Sequence, residues 1–245
     1  MNIIIIHKGS NNTAELTAIG EGLLWILQYI RNQSNPNHSK HRHRVIIRYD
    51  SEYAANSVLG IFNGKKNVEL IQKIRTIYQQ VNSAVKSISF KHVKGHSGHV
   101  YNDRADRLAN QGAVMFTGVG GRYSSPPVVN SKSASKDSPL TSASTEPSIP
   151  DTMDEQVPTS DLPSVLFLYT DGCCIGNTTH HACPSGWGVT ITKPSVSASA
   201  SINGGRIDIR GIESDPSKCE KVDELYGPVV LDATSPFYLC ATVGK

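Results

Sequence analysis

Four short segments of this 245-residue chain each place a carboxylate at or beside the end of a predicted helix or strand. The segments are SNNTAEL (10–16), IRYDSEY (47–53), VKGHSGHVYNDRADRL (93–108) and YTDGCCIGN (169–177). Their carboxylates are Glu15, Asp50, Asp106 and Asp171. Four clustered carboxylates would hold two Mg²⁺ ions roughly 3.5 to 4 Å apart, which clamps the attacking and leaving oxygens of a phosphodiester hydrolysis. The segments therefore predict a two-metal site if the fold brings them together.

Most of these residues also have a simpler, local explanation. Glu15 follows Asn12 by three residues, as in a helix capping box, and Asp50 could cap the helix that comes after it. Asp103 and Asp106 stand in a predicted first helical turn, where the helix dipole favours acidic residues without any metal. Capping does not explain why all four carboxylates occur in such distinctive segments, so their joint occurrence favours a shared site. For Asp103 the local explanation stands.

The elements that must position these carboxylates lie on two flanks of a Ser/Pro-rich stretch. Residues 114–162 contain ten Ser and six Pro without apolar periodicity, which predicts a disordered linker. On the first flank, 1–113, helix patterns cover 13–31, 52–62, 68–85 and 102–113, and strand patterns cover 2–7, 45–49 and 87–93. On the second flank, 163–245, strand patterns cover 165–170, 187–192 and 237–242, with a charged loop over 213–224.

Charge and composition narrow the class of protein. Residues 1–113 carry 15 Lys+Arg against 7 Asp+Glu, which suggests an anionic partner such as nucleic acid, although a solvated basic surface is about equally common. The longest apolar runs have four or five residues, far fewer than the roughly 20 of a membrane-spanning helix. Five cysteines, an odd number, and a start without signal-peptide features lead us to expect an intracellular, reducing environment without a disulfide scaffold.

The four segments resemble the motifs of type 1 ribonuclease H, which occur in that family in the order TDG, NNxxEL, DS and GHxGHxxNxxAD. In this chain TDG comes last, so the sequence resembles a circularly permuted ribonuclease H with its first three strands at the C-terminus. The resemblance implies an α/β, ribonuclease H-like fold with a five-stranded mixed sheet flanked by helices on both faces. Residues 1–113 and 163–245 would form one domain, joined by the linker 114–162. Residues 2–7 and 237–242 would then compete for one strand position.

The same resemblance implies a function and a set of site residues. The protein would be an endonuclease that hydrolyses the RNA strand of RNA/DNA hybrids with two Mg²⁺ ions, for which Mn²⁺ can substitute. The metal ligands would be Glu15, Asp50, Asp106 and Asp171, and His96 would assist the attacking water or product departure. Residues matching the family's hybrid contacts and their supports are Ser10, Asn11, Asn12, Asn102, Gly172, Cys174 and Asn177.

Two alternatives remain open at this level. The chain could be a catalytically silent hybrid-binding or structural module whose halves do not align the carboxylates. It could also be a fragment of tandem domains that assembles as a swapped dimer, although a monomer is the first expectation. The family's basic protrusion shrinks here to residues 63–67, so hybrid affinity would depend on other cations such as Lys65 and Lys66.

Overall fold

The computed structural model describes residues 10–32, 43–63, 65–95, 98–115, 156–158, 164–176, 184–195, 206–213 and 215–229. The helices are α1 (Asn11–Asn32), α2 (Glu52–Leu59), α3 (Val68–Ala84), α4 (Val100–Met115) and α5 (Ile209–Glu213). The strands are β1 (Arg44–Tyr49), β2 (Ser87–His92), β3 (Gln156–Pro158), β4 (Val165–Cys174), β5 (Ser185–Pro194), β6 (Arg206–Asp208) and β7 (Cys219–Pro228). None of the helices in these ranges is long and apolar enough to cross a bilayer.

Five strands from both flanks form one mixed sheet in the order β2-β1-β4-β5-β7. Strands β2, β1 and β4 run parallel, whereas β5 and β7 are antiparallel to their neighbours. Strand β1 precedes the linker and β4 follows it, yet they pair from Arg44↔Val165 to Tyr49↔Thr170. The two flanks therefore share one α/β sheet. A separate antiparallel pair joins β3 to β6.

Helices cover both faces of this sheet because its strands alternate their apolar side chains. Ile47 and Leu168 belong to a core cluster with α1 and α3 on one face. Ile46 and Phe167, one residue earlier on each strand, belong to a second cluster on the other face with α4 and Ile212 of α5. This period of two is the expected pattern for strands that are buried on both sides.

Helix α4 lies unusually close to the sheet because glycines face it. A Cβ atom on Gly188 of β5 would lie 2.3 Å from the carbonyl oxygen of Ala105, and one on Gly112 would lie 2.3 Å from that of Gly227. Any side chain at these positions would push the helix away from the strands. The contact fixes the height of α4, and with it the position of Asp106, above the sheet.

The prediction of a charged loop over 213–224 is wrong in its second half, because residues 219–224 belong to the edge strand β7. Leu225 of β7 packs into the core cluster on the α1 face and Cys219 into the cluster on the α4 face, because a β-bulge between them shifts the alternation of side chains. Glu220 pairs with Lys193 and Glu224 with Arg104. A solvent-facing edge strand carries charges that resemble a loop in the sequence.

Smaller differences concern the ends of elements. The helix predicted over 52–62 ends at Leu59, because Gly60 adopts a left-handed conformation with φ 84° and its N–H bonds back to the last turn. Helix α4 extends to Met115 and β3 covers Gln156–Pro158, so both ends of the predicted linker contain regular structure. The predicted strands over 2–7 and 237–242 lie outside the described residues.

Candidate active site

Strands β1 and β4 bring two of the candidate carboxylates side by side. Their last paired residues are Tyr49 and Thr170, and Asp50 and Asp171 are the next residue on each chain. Because side chains alternate along a strand, both carboxylates point toward the face that α4 covers. Two carboxylates thus project from neighbouring carboxyl ends of the parallel part of the sheet.

The start of α1 supplies the third carboxylate. Ser10 caps this helix: the Thr13 N–H donates to Ser10 Oγ at 3.2 Å, and the Ser10 N–H donates to Thr13 Oγ1 at 2.7 Å. The capping box expected between Asn12 and Glu15 is therefore wrong, and Glu15 has no capping role. A Cβ atom on Gly172 would lie 2.2 Å from the Glu15 backbone nitrogen, so only glycine allows the helix to approach β4 this closely.

The four predicted carboxylates converge at one place. Among the described residues, one ligand atom each from Glu15, Asp50 and Asp171 lies within 4.8 Å of the other two. Asp106 of α4 lies beside the Asp171 carboxyl group and interacts with it. Asp50 does not cap α2, because Ser51 does so by accepting from the Ala54 N–H at 3.4 Å.

Burial and crowding raise the pKa values of two of these carboxylates, Asp171 and Glu15. Burial, reinforced by Asp50 and Asp106, raises the pKa of Asp171 to about 8. Burial, reinforced by Asp171 and Asp50, raises the pKa of Glu15 well above its usual value. Hard divalent cations such as Mg²⁺ and Mn²⁺ prefer oxygen ligands, and this site offers only carboxylate oxygens. A bound cation would also neutralise the negative charge that the surrounding residues leave unbalanced. The residues therefore fit the implied metal ions.

The loop before α4 passes beside this cluster. A Cβ atom on Gly95 would lie 3.0 Å from Asp50 Oδ2, so glycine permits a close contact here too. His96, the predicted catalytic histidine, is the next residue and lies outside the described residues. Its role stays a prediction.

The first turn of α1 presents polar groups near the cluster. Asn11 and Asn12 are exposed there, whereas the hydroxyl of Ser10 is engaged in the helix cap. Asn177, also expected to contact the hybrid, lies outside the described residues. The two exposed asparagines remain candidates for hybrid contact.

Three other predicted contact residues have evident structural constraints. Gly172 lies under α1, and the Asn102 side chain on α4 is buried, with only 2% of its surface exposed. Cys174 forms a disulfide, whereas Cys173 and Cys219 are free.

Sequence reasoning missed a chain of hydrogen bonds that ends on Asp106. The Cys173 thiol donates to Asn110 Oδ1 at 3.0 Å, and Asn110 Nδ2 donates to Asp106 Oδ1 at 2.9 Å. Burial and the nearby carboxylates raise the pKa of the Cys173 thiol, which keeps it protonated as a donor. The sequence does contain one signal for this contact: Asp106 and Asn110 are four residues apart on a predicted helix, a spacing at which side chains meet.

A buried ion pair behind the cluster was also missed. Glu213 of α5 is 2% exposed and accepts two bonds from Arg48, which stands two residues before Asp50 on β1. The Tyr169 hydroxyl donates to the same carboxylate at 3.1 Å. Glu213 stands at the start of the predicted charged loop, and no pattern in the sequence indicates that it is buried.

A family model and individual relatives point to the same protein family. The RNase H family model matches residues 3–114. Ribonuclease H of Neisseria gonorrhoeae is 35% identical over 116 residues, covering 44% of this chain and 71% of that protein. Ribonuclease H of Hydrogenovibrio crunogenus is 32% identical over 117 residues, covering 44% of this chain and 72% of the relative. No solved structure matches the chain significantly.

Proposed function

The chain belongs to the ribonuclease H family, and from this premise we propose that it is an endonuclease that hydrolyses the RNA strand of RNA/DNA hybrids. The observation that carries the proposal is the convergence of Glu15, Asp50 and Asp171, with Asp106 in contact with Asp171. A silent module with misaligned carboxylates would not need this geometry. The relatives named ribonuclease H support a hydrolase.

The proposed mechanism uses two metal ions held by these four carboxylates. Two bound Mg²⁺ ions would supply activation of the attacking water and stabilisation of the leaving 3′ oxygen, giving 3′-hydroxyl and 5′-phosphate ends. The paired ends of β1 and β4 position Asp50 and Asp171. Glu15 and Asp106 come from α1 and α4, which lie on opposite faces of the sheet. Burial of Glu15 and Asp171 strengthens their attraction for cations, because water screens buried charges less.

Substrate selection would depend on the surface around the cluster. The first flank is basic, and Asn11 and Asn12 are exposed at the start of the helix that carries Glu15. Cations of this flank would contact phosphates, and polar side chains would contact the 2′-hydroxyl groups that distinguish RNA from DNA. Both assignments are part of the proposal.

We also propose that 1–113 and 163–245 form one domain, which makes the chain a circularly permuted ribonuclease H. The pairing of β1 with β4 across the linker supports this, as do carboxylates contributed by both flanks. The family match ends at residue 114 and so does not include Asp171. We propose a monomer, and intracellular location stays a prediction from the sequence.

The test is cleavage of a labelled RNA/DNA hybrid in Mg²⁺ by the wild type and by Asp171→Asn and Asp106→Asn. We expect each substitution to lower kcat by roughly 100-fold or more, because a lost metal ligand removes several kcal/mol of charge stabilisation. Asp103→Asn is the matched control, because Asp103 lies on the same helix outside the cluster.

Undiminished cleavage by Asp171→Asn would overturn the assignment. Wild-type protein that binds hybrid but does not cleave it in Mg²⁺ or Mn²⁺ would indicate the silent module instead. Loss of cleavage in EDTA, restored by Mg²⁺, would support the metal requirement.

A further inference from the structure

Helix α4 carries an amide one turn after Asp106 that the proposed reaction does not use. Asn110 Nδ2 lies 2.9 Å from Asp106 Oδ1 and 2.9 Å from the Asp106 carbonyl oxygen. Asn110 is exposed and Asp106 is only partly buried. An aspartate on such a surface would otherwise exchange among staggered rotamers. The amide restrains the carboxylate to one of them.

A thiol from the sheet holds that amide in turn. Cys173 stands two residues after Asp171 on β4, so its side chain points to the same face, toward α4. Its Sγ lies 3.0 Å from Asn110 Oδ1. Because the thiol meets the oxygen of the amide, the NH₂ group of Asn110 faces Asp106. The reverse orientation would set the amide oxygen against a carboxylate oxygen.

The three side chains therefore link the strand of one flank to the helix of the other. Cys173 and Asp171 lie on the same strand, and Asn110 and Asp106 lie on the same helix. The outer bond restrains the amide, and the inner bond restrains the carboxylate that contacts Asp171. The hydrogen-bonded route from Cys173 to Asp106 thus passes through Asn110.

We propose that Asn110 and Cys173 are positioning residues that hold the Asp106 carboxylate in its place for metal binding. The inference rests on the proposed function, because it takes Asp106 as a metal ligand. Preorganising a ligand lowers the entropy lost when the ion binds. The two residues therefore raise the affinity for the divalent cation without touching the substrate.

The test measures Mn²⁺ and Mg²⁺ binding to the metal-free full chain by calorimetry, without any hybrid. We expect Asn110→Ala and Cys173→Ala each to weaken cation affinity by about three- to tenfold, the range that one net hydrogen bond supplies. Cys173→Ser should restore wild-type affinity, because its hydroxyl donates to the same amide oxygen. All variants should unfold at the wild-type temperature in EDTA, because these bonds lie near the surface.

The double variant Cys173→Ala/Asn110→Ala gives the sharpest result. We expect it to equal Asn110→Ala alone, because the thiol acts through the amide. Additive losses, or an unchanged affinity in Asn110→Ala, would overturn the proposal. A parallel Asp106→Asn sample separates this proposal from the proposed function. Wild-type cation affinity in that sample would refute the metal role of Asp106 itself.

Discussion

At the scale of single residues, the structure decides which acidic groups cap helices and which do not. Ser10 and Ser51 cap α1 and α2, so neither Glu15 nor Asp50 has that role. Both instead lie with Asp171 in a cluster where burial and like charges raise the pKa values of Glu15 and Asp171. Such an arrangement costs stability without a cation, which is typical of functional sites.

Glu21 offers a residue-scale prediction outside the cluster. Burial alone raises its pKa to about 7, and Oε1 has no hydrogen-bond partner among the described residues. Between its unfolded pKa, roughly 4.5, and 7 the folded state binds more protons, so this group makes stability fall as pH rises. Glu21→Gln mimics the protonated form and should be more stable than the wild type at pH 8 by at most about 3 kcal/mol.

Urea unfolding in EDTA between pH 4 and pH 8 measures this difference. It should vanish near pH 4, where the wild-type carboxyl group is protonated in both states. Cation affinity should not change, because Glu21 is outside the cluster. A stability difference that is constant over this pH range would contradict the prediction.

At the scale of elements, the site depends on helices that approach strands backbone to backbone. Gly172 admits the start of α1 over β4, and Gly188 admits α4 over β5. These glycines fix where Glu15 and Asp106 stand relative to the sheet. The site is therefore sensitive to small side chains placed beneath it.

Gly172→Ala tests this dependence. Its Cβ atom would lie 2.2 Å from the Glu15 nitrogen, so the first turn of α1 must move. We expect a stability loss of about 1 to 3 kcal/mol from overpacking and a roughly 100-fold loss of hybrid cleavage from the displaced carboxylate. Urea unfolding and steady-state kinetics measure the two effects.

Gly22→Ala is the matched control for this experiment. It makes the same change on α1 about two turns after Glu15, where the new Cβ atom meets a side-chain atom of Leu168 at 3.2 Å. Cleavage should remain within a few-fold of the wild type. Equal losses of cleavage in both variants would mean that general destabilisation, and not displacement of Glu15, limits activity.

At the scale of the whole molecule, the two flanks are joined by contacts as well as by the chain. Strand β1 pairs with β4 along its full length. Trp25 Nε1 donates to Asp223 Oδ2 at 2.7 Å, and Arg104 forms two bonds of 2.9 Å with Glu224. Each of these links residues before the linker to residues after it. The linker is then needed to keep the flanks close, not to pair them.

Cutting the chain tests this view. A specific protease site inserted between residues 135 and 140 should allow cleavage with little loss of activity or cation affinity. Light scattering should give one monomer mass before and after cleavage, and denaturing gels should show two fragments. A doubled mass before cleavage would indicate exchange of flanks between molecules, and separation after cleavage would refute the single domain.

The sequence alone was enough for much of the fold and for the prediction that the four carboxylates lie together. Apolar periodicity gave α1, α3 and β1 nearly to their ends and the first six residues of β4, because each pattern is local and one face or both faces are buried. The carboxylates stood out because each occurs in a distinctive short segment. Both signals are carried by residues close together in the chain.

Only the tertiary structure decided the features that depend on distant neighbours. The edge strand β7 resembled a loop because its charges find partners such as Arg104 on another element. The Arg48–Glu213 pair and the bonds from Cys173 through Asn110 join residues far apart in the sequence. No local pattern encodes such contacts, since they arise when the sheet joins both flanks and the glycines let the helices approach it.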